Sequence, residues 1–308
     1  MQSAPRRLDL AGIVAFVAIV VLLGVNFVAV RFSNAELPPF WGATFRFTFA
    51  ATLLALVVQA RRIPWPRGAA LVGSIAYGVT AFGATYALAY WGLLGVSSGT
   101  TSLAFATTPL LTLLMAASVG IERLGWRPLA GAILAVAGMA FVVGGDLAAA
   151  STPHLVAVFL AAVAGAASGV IVKRAPAVHP VAMNAVAMAT GVVLLLAASL
   201  LARERWALPA LAATWLALAW LVMSAAVAFI LFVWLIRRWT ASRASYTTVL
   251  FPVVTILVAS VLVDEPITMR LVAGGLVVVA GVYVGALSRR AKEVAVQGET
   301  VATGSPRS

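Results

Sequence analysis

A single ionisable side chain, Arg46, stands inside an otherwise apolar run, Phe40 to Ala60. A charge in that setting is costly enough to imply a role, and three readings are open: an inward-facing structural or gating role, escape of the guanidinium to the near interface, or contact with the carboxylate of a solute. By helix rise it sits about 10 Å below the near end of its run. Other chemistries find few parts. His154 and His179 are distant from any nucleophile or acid cluster, there is no HExxH pattern, and cysteine is absent. Covalent catalysis, hydrolytic zinc, thiolate metal sites and disulfides therefore lack their components, and no enzyme activity or cofactor is expected. The nine acidic residues, Asp9, Glu36, Glu122, Asp146, Glu204, Asp264, Glu265, Glu293 and Glu299, all fall outside the apolar runs. Proton-driven carriers place a carboxylate or histidine along their path, so weak dependence on a proton gradient is expected.

The remaining candidates are hydroxyls, amides and rings. Pro109 and Pro252 each lie inside an apolar run, where proline frees the carbonyl four residues earlier, at Phe105 and Thr248, and kinks the helix. Around Pro109 the helical period puts Thr101, Phe105, Thr108 and Thr112 on one face, and around Pro252 it puts Ala244, Thr248, Phe251 and Thr255 on one face. Such faces suit either a cavity for an amphipathic solute or hydroxyl contacts between helices. Phe82, Tyr86 and Tyr90 form a stripe four residues apart, with Phe229 and Tyr246 on later runs. Asn26 and Ser168 are further candidate contacts, each preceded by a nearby glycine, and Gly169 is a candidate bending point beside Pro109 and Pro252. Trp41, Trp91, Trp206 and Trp239 fall near run ends and read as interfacial anchors.

These side chains must be positioned in a bilayer. The chain is 63% hydrophobic and 10% charged with a mean hydropathy of +1.07, far from the roughly 25% charge of a soluble domain. Ten apolar runs are long enough to span: Leu10–Val30, Phe40–Ala60, Ala69–Trp91, Thr101–Val119, Pro128–Gly145, Leu155–Val172, Val181–Ala202, Leu208–Ile236, Ala244–Val263 and Leu271–Leu287. They are continuous rather than alternating, so helices are expected and barrel strands are not. The least marked boundary separates spans three and four, because residues 68–121 carry no charge; Gly92, Gly95, Gly99, Ser97 and Ser98 supply the break. The first run is longer than the apolar core of a secretory signal and reads as a span, and the tail after Arg290 reads as disordered.

With the N-terminus inside, Arg6, Arg7, Arg61, Arg62, Arg67, Arg123, Arg127, Lys173, Arg174, Arg237, Arg238, Arg243, Arg289, Arg290, Lys292 and Arg307 all lie on the cytoplasmic side. Only Arg31, Arg203, Arg205 and Arg270 lie outside. This asymmetry is what membrane topology demands, so the formal charge of +12 calls for no nucleic-acid partner.

Residues 96–145 return as 239–288 at a constant offset: Pro109 as Pro252, Glu122 as Glu265, Arg127 as Arg270, Gly131 as Gly274 and Gly138 as Gly281. The front half agrees more loosely, through Arg31 with Lys173 and Pro38 with Pro180. The chain thus divides into halves 1–148 and 149–290. A five-span half ends on the side opposite its start, so its copy is inverted, a plan common among secondary transporters. Glu122 and Glu265 are expected to cap spans five and ten, and the repeated glycines to mark close helix contacts.

The strings PLLTLLMAASVGIERLGWRPLAGAILAVAGM and PVVTILVASVLVDEPITMRLVAGGLVVVAGV, with the FRF around Arg46, resemble the paired signatures of the drug/metabolite transporter superfamily, in its EamA branch. The resemblance covers nearly all of residues 10–288. It implies an all-α integral membrane protein of ten helices in two inverted five-helix repeats, both termini cytoplasmic in a bacterial-type inner membrane, exporting metabolites. Size and aromatic content are similar to the YddG-type aromatic amino-acid exporters, which implies amino acids with aromatic or apolar side chains as cargo. The expected mode is alternating access by a monomer or weak oligomer, through a cavity built by spans one, three, four, six, eight and nine. A proton-coupled exporter of cationic drugs or other metabolites, a passive pore and a membrane scaffold are the competing readings.

Overall fold

The computed structural model describes residues 9–120, 151–239 and 241–284, together with Trp126 and the helical residues 130–131, 133–135, 137–138 and 141–142. Glu122, Asp146, Glu293, Glu299, most of span five and the C-terminal tail lie outside the described residues, as do Arg6, Arg7, Arg123, Arg127, Arg289, Arg290, Lys292 and Arg307. All regular structure among the described residues is helical. Seven helices are long and apolar enough to cross a membrane: Leu10–Asn34, Pro39–Ala60, Ala69–Gly92, Ser98–Ser118, Thr152–Arg174, Pro180–Leu201 and Ala212–Arg238. Two shorter apolar segments follow, Tyr246–Leu262 and Met269–Gly281.

The boundaries have local causes. Asp9 accepts from the Gly12 amide to start the first helix, Ser97 from Thr100 to start the fourth, and Thr268 from Leu271 to start the last. Proline occupies the first turn of the second, sixth and seventh spans, where its missing N–H costs nothing. Span four begins at Ser98 rather than Thr101, and span eight at Ala212 rather than Leu208, because Pro209 holds the approach extended.

Contacts between helices repeat under exchange of the two halves. Span one packs on span eight as span six packs on span three; span one meets nine as six meets four; and span three meets seven as eight meets two. Spans two and seven, and spans four and nine, pack against their own counterparts. These counterparts run in opposite directions: Phe40 at the start of span two lies beside Glu204 after the end of span seven, and Ser98 at the start of span four beside Glu265 after span nine. In spans five and ten, a Cβ on Gly274 would meet the Gly138 carbonyl at 2.9 Å, and one on Gly281 the Gly131 carbonyl at 2.8 Å. Only glycine permits that approach, and the order 131 to 281 and 138 to 274 is again antiparallel.

The acids outside the helices work across the halves. Glu204 accepts from the Phe40 and Trp41 amides at 3.1 and 2.7 Å, and Glu36 from Ala210 and Leu211. Glu265 corrects the expectation that it caps span ten. It accepts from the Ser98 and Gly99 amides at 3.1 and 3.4 Å and pairs with Arg31, so it caps span four. Its own span starts four residues later, beyond reach of its carboxylate, and Thr268 takes that cap.

At the opposite end, Asp9 receives Arg238 Nε and Nη2 at 2.8 Å each and Trp239 Nε1 at 3.0 Å. Lys173 and Arg174 gather at this end too, on the carbonyls of Trp239 and Val119. The hydrogen bond from Arg238, and then those from Trp239 and Gly12, hold the Asp9 carboxyl well below the usual carboxylate range.

Two consequences are measurable. Replacing Glu265 by alanine strips two helix amides and Arg31 of their acceptor, and should cost about 1–3 kcal/mol of stability by unfolding in detergent, with Glu265→Gln losing less. A depressed carboxylate contributes stability that is present above its unfolded pKa and lost as pH falls through the folded one. Asp9→Asn should therefore lower the unfolding midpoint at neutral pH, and the gap from the parent should close only in strong acid.

Candidate functional site

Where the halves meet, seven spans leave a cavity with about 830 Å³ of atom-free space, part of it open to the outside. Span one contributes the face Leu23, Asn26, Phe27 and Val30; span two contributes Arg46; span three Ala81, Thr85, Tyr86, Ala89, Tyr90 and Leu93. Spans four, six, eight and nine add Phe105 and Thr108, Gly165 and Ser168, Phe229 and Phe232, and Thr247, Thr248 and Phe251.

Both repeated proline positions shape the centre. The helix breaks at Thr107, between Ser98–Ala106 and Thr108–Ser118, so Pro109 sits in the first turn of the second piece. Its counterpart Pro252 follows a 3₁₀ turn, Tyr246–Leu250. The expected kink is thus an interruption one turn ahead of each proline, where the chain gives up α-helical bonding rather than bending through it. Phe105 and Thr108 line the cavity beside their repeat counterparts Thr248 and Phe251, so each position supplies one ring and one hydroxyl. Phe27 joins the cluster, edge-on to Phe105 at 5.3 Å and tilted to Phe251 at 6.0 Å.

Arg46 is fully buried and does not reach the interface. Its Nε donates to the Leu221 carbonyl at 3.1 Å, and its guanidinium carbon lies 4.8 Å from the Phe47 ring centre and 4.9 Å from that of Tyr86. Nη1 and Nη2 make no hydrogen bond, nor do the Tyr90 hydroxyl and Asn26 Nδ2. The Asn26 oxygen, by contrast, accepts from Trp220 Nε1 at 3.0 Å and Ser224 Oγ at 2.8 Å, which fixes the amide with its NH₂ group unpaired. Among the described residues, no acidic side chain lines the cavity.

Of the residues singled out in the sequence, Asn26, Arg46, Tyr86, Tyr90, Phe105, Thr108, Ser168, Phe229, Thr248 and Phe251 line this cavity, and Phe82, Thr101 and Tyr246 do not. Phe82 lies in a π-helical turn, Val79–Ala84, whose extra residue shifts the register of the stripe. Its ring backs the wall, edge-on to Phe229 at 4.7 Å and Phe47 at 5.2 Å. Thr101 bonds the Ser97 carbonyl within its own helix and is fully buried. Gly169 lies in an unbroken helix, Thr152–Arg174. Phe27, Thr85, Phe232 and Thr247 were not anticipated; the face Leu23, Asn26, Phe27, Val30 follows the helical period from Asn26 and carries the signal for Phe27.

A profile of the EamA-like transporter family matches residues 10–144 and again 152–286. The chain belongs to the EamA-like transporter family. It is 33% identical over 121 residues to a probable terminal-alkyne amino-acid exporter of Streptantibioticus cattleyicolor, a match spanning 39% of this chain and 41% of that relative. A solved structure described only as the crystal structure of a protein shares the fold, with a TM-score of 0.66 and 21% identity over 92% of this chain and 99% of that one. Membership in a transporter family accords with an integral membrane protein whose chemistry is carriage rather than catalysis. For this EamA-like chain, Asn26→Ala should cost about 1–3 kcal/mol in unfolding experiments, since Trp220 and Ser224 then lose a buried acceptor.

Proposed function

We propose that this chain exports small amphipathic metabolites, amino acids with aromatic or apolar side chains foremost, by alternating access through the central cavity. The observation that carries the reading is the cavity itself: a mixed wall of rings, hydroxyls and one guanidinium at the meeting of two antiparallel-packed halves. The name of the relative from Streptantibioticus cattleyicolor supports amino acids as cargo. On this reading ten helices span the membrane in two inverted halves, 1–148 and 149–290, with both termini cytoplasmic in a bacterial-type inner membrane and the protein a monomer or weak oligomer.

Asn26, Tyr86, Tyr90, Phe105, Thr108, Ser168, Phe229, Thr248 and Phe251 then contact cargo, with Phe82, Thr101 and Tyr246 as supports. The interruptions ahead of Pro109 and Pro252, together with Gly169, let the halves rock. The Arg31–Glu265 pair, next to Val30, ties spans one and nine together at the outer end. A cavity lined, among the described residues, without carboxylate or histidine supports downhill or exchange transport over proton coupling.

Reconstituted liposomes test this directly. Efflux of labelled phenylalanine, tryptophan and methionine should saturate, be cross-inhibited, and change less than about twofold when a pH gradient is imposed. Flux without saturation would indicate a pore, accumulation driven by the pH gradient alone a proton-coupled carrier, and absence of any solute flux a scaffold.

A further inference from the structure

Arg46 is a full positive charge with an incomplete environment. One of its nitrogens, Nε, is satisfied by the Leu221 carbonyl, and two rings lie against the guanidinium plane. Its two terminal nitrogens make no well-formed hydrogen bond, with the Tyr86 and Tyr90 side chains close by, and no ion pair reaches it among the described residues. The groups with unmet hydrogen-bonding capacity that line the cavity with it are the Tyr90 and Thr108 hydroxyls and the Asn26 amide nitrogen, all able to donate. A desolvated guanidinium whose two terminal nitrogens lack an acceptor suits a planar carboxylate, which must displace neighbouring side chains to reach them.

The rest of the lining lacks the complementary feature. Its polar members, Thr85, Thr108, Ser168, Thr247 and Thr248, are neutral, and no carboxylate faces the space among the described residues. Four of these hydroxyls donate to backbone, Thr85 to Thr80, Ser168 to Gly165, Thr247 to Ala244 and Thr248 to Ser245. An ammonium group brought into this cavity meets the field of Arg46 with no anion to offset it, so it is repelled rather than bound.

We infer that the cargo's carboxylate is the missing counterion of Arg46 and that its amino group is not recognised, so apolar monocarboxylates without an amino group are ligands of the same cavity. This rests on the reading of the cavity as the cargo site and narrows it. A zwitterion neutralises Arg46 while adding an unpaired ammonium; a simple monocarboxylate neutralises it outright; an amine adds like charge. The order of affinity is therefore acid, then amino acid, then amine.

Three probes of one carbon skeleton separate these cases: hydrocinnamate, phenylalanine and phenethylamine, measured by thermal stabilisation of the purified full-length protein in detergent at neutral pH. Hydrocinnamate should stabilise at concentrations no higher than phenylalanine requires, and phenethylamine should not stabilise. Arg46→Gln should weaken the apparent affinity for hydrocinnamate by about 10- to 100-fold, and Arg46→Lys, which keeps the charge without the fork, by less. Should Arg46→Gln fail to fold, Arg46→Lys and the probe series on the unaltered protein carry the same decision.

The inference is overturned if phenethylamine binds as well as hydrocinnamate, if removing the guanidinium leaves the acid's affinity unchanged, or if none of the three stabilises. Phenylalanine flux in liposomes, run beside these assays, keeps the two readings apart. Stabilisation by the acid without flux overturns export and leaves the counterion assignment standing. Flux together with a preference for the amine does the reverse.

Discussion

A guanidinium buried among apolar helices must be accommodated or the bundle will not assemble around it. Arg46 is accommodated by half: its inner nitrogen rests on the Leu221 carbonyl, its faces are covered by Phe47 and Tyr86, and its terminal nitrogens are buried without an acceptor in the wall of a cavity. That arrangement needs span two against span eight to supply the carbonyl and span three to supply the ring. The aromatic packing behind it follows from the same need, with Phe82 wedged among Phe47, Tyr77 and Phe229. The site and the core are therefore one construction: the wall that holds the charge in place is the wall of the pocket.

Around that centre the two halves pack along their helices and are tied at their ends by polar contacts. Glu204 and Glu265 each leave one half to cap a helix of the other, Glu36 does the same in the opposite sense, and Asp9 binds the end of span eight. Such ties are local and polar, and each can be exchanged for water when the ends part. The middle, by contrast, is held by hydroxyls and rings around empty space, with helix interruptions in spans four and nine on either side of it. On the proposed alternating-access reading, polar ends and an interrupted centre let the halves move relative to each other, with spans five and ten joined by glycine contact.

The sequence exposed most of this because its signals were local or repeated. Continuous apolar runs marked the helices, and the repeat of Pro109 as Pro252 marked the centre. Helical spacing from those prolines found Phe105, Thr108, Thr248 and Phe251. Arg46 was visible as the one charge in an apolar run. What stayed hidden depends on distant or irregular geometry. Which helix Glu265 caps is decided by a contact across more than a hundred and sixty residues of chain, and no spacing rule reports it. Phe82 left the pocket face because a π turn precedes Tyr86, a departure from 3.6-residue periodicity that composition does not reveal. Asn26 was legible as a polar residue in a span, yet its partners Trp220 and Ser224 come from the other half.

The central claim is that the space between the halves is the path a solute takes. The chain contains no cysteine, so a single cysteine reports one position without background. Placing it at Ser168 or Thr248, on the cavity wall, and at Ile267, on the exposed segment ahead of span ten, and treating membrane vesicles with a small charged thiol reagent gives the most direct test. The account predicts that the two cavity positions react, that saturating phenylalanine slows their modification several-fold, and that modification at Ile267 is insensitive to phenylalanine. Cavity positions that never react, or whose modification ignores phenylalanine while the protein still carries it, would contradict the account.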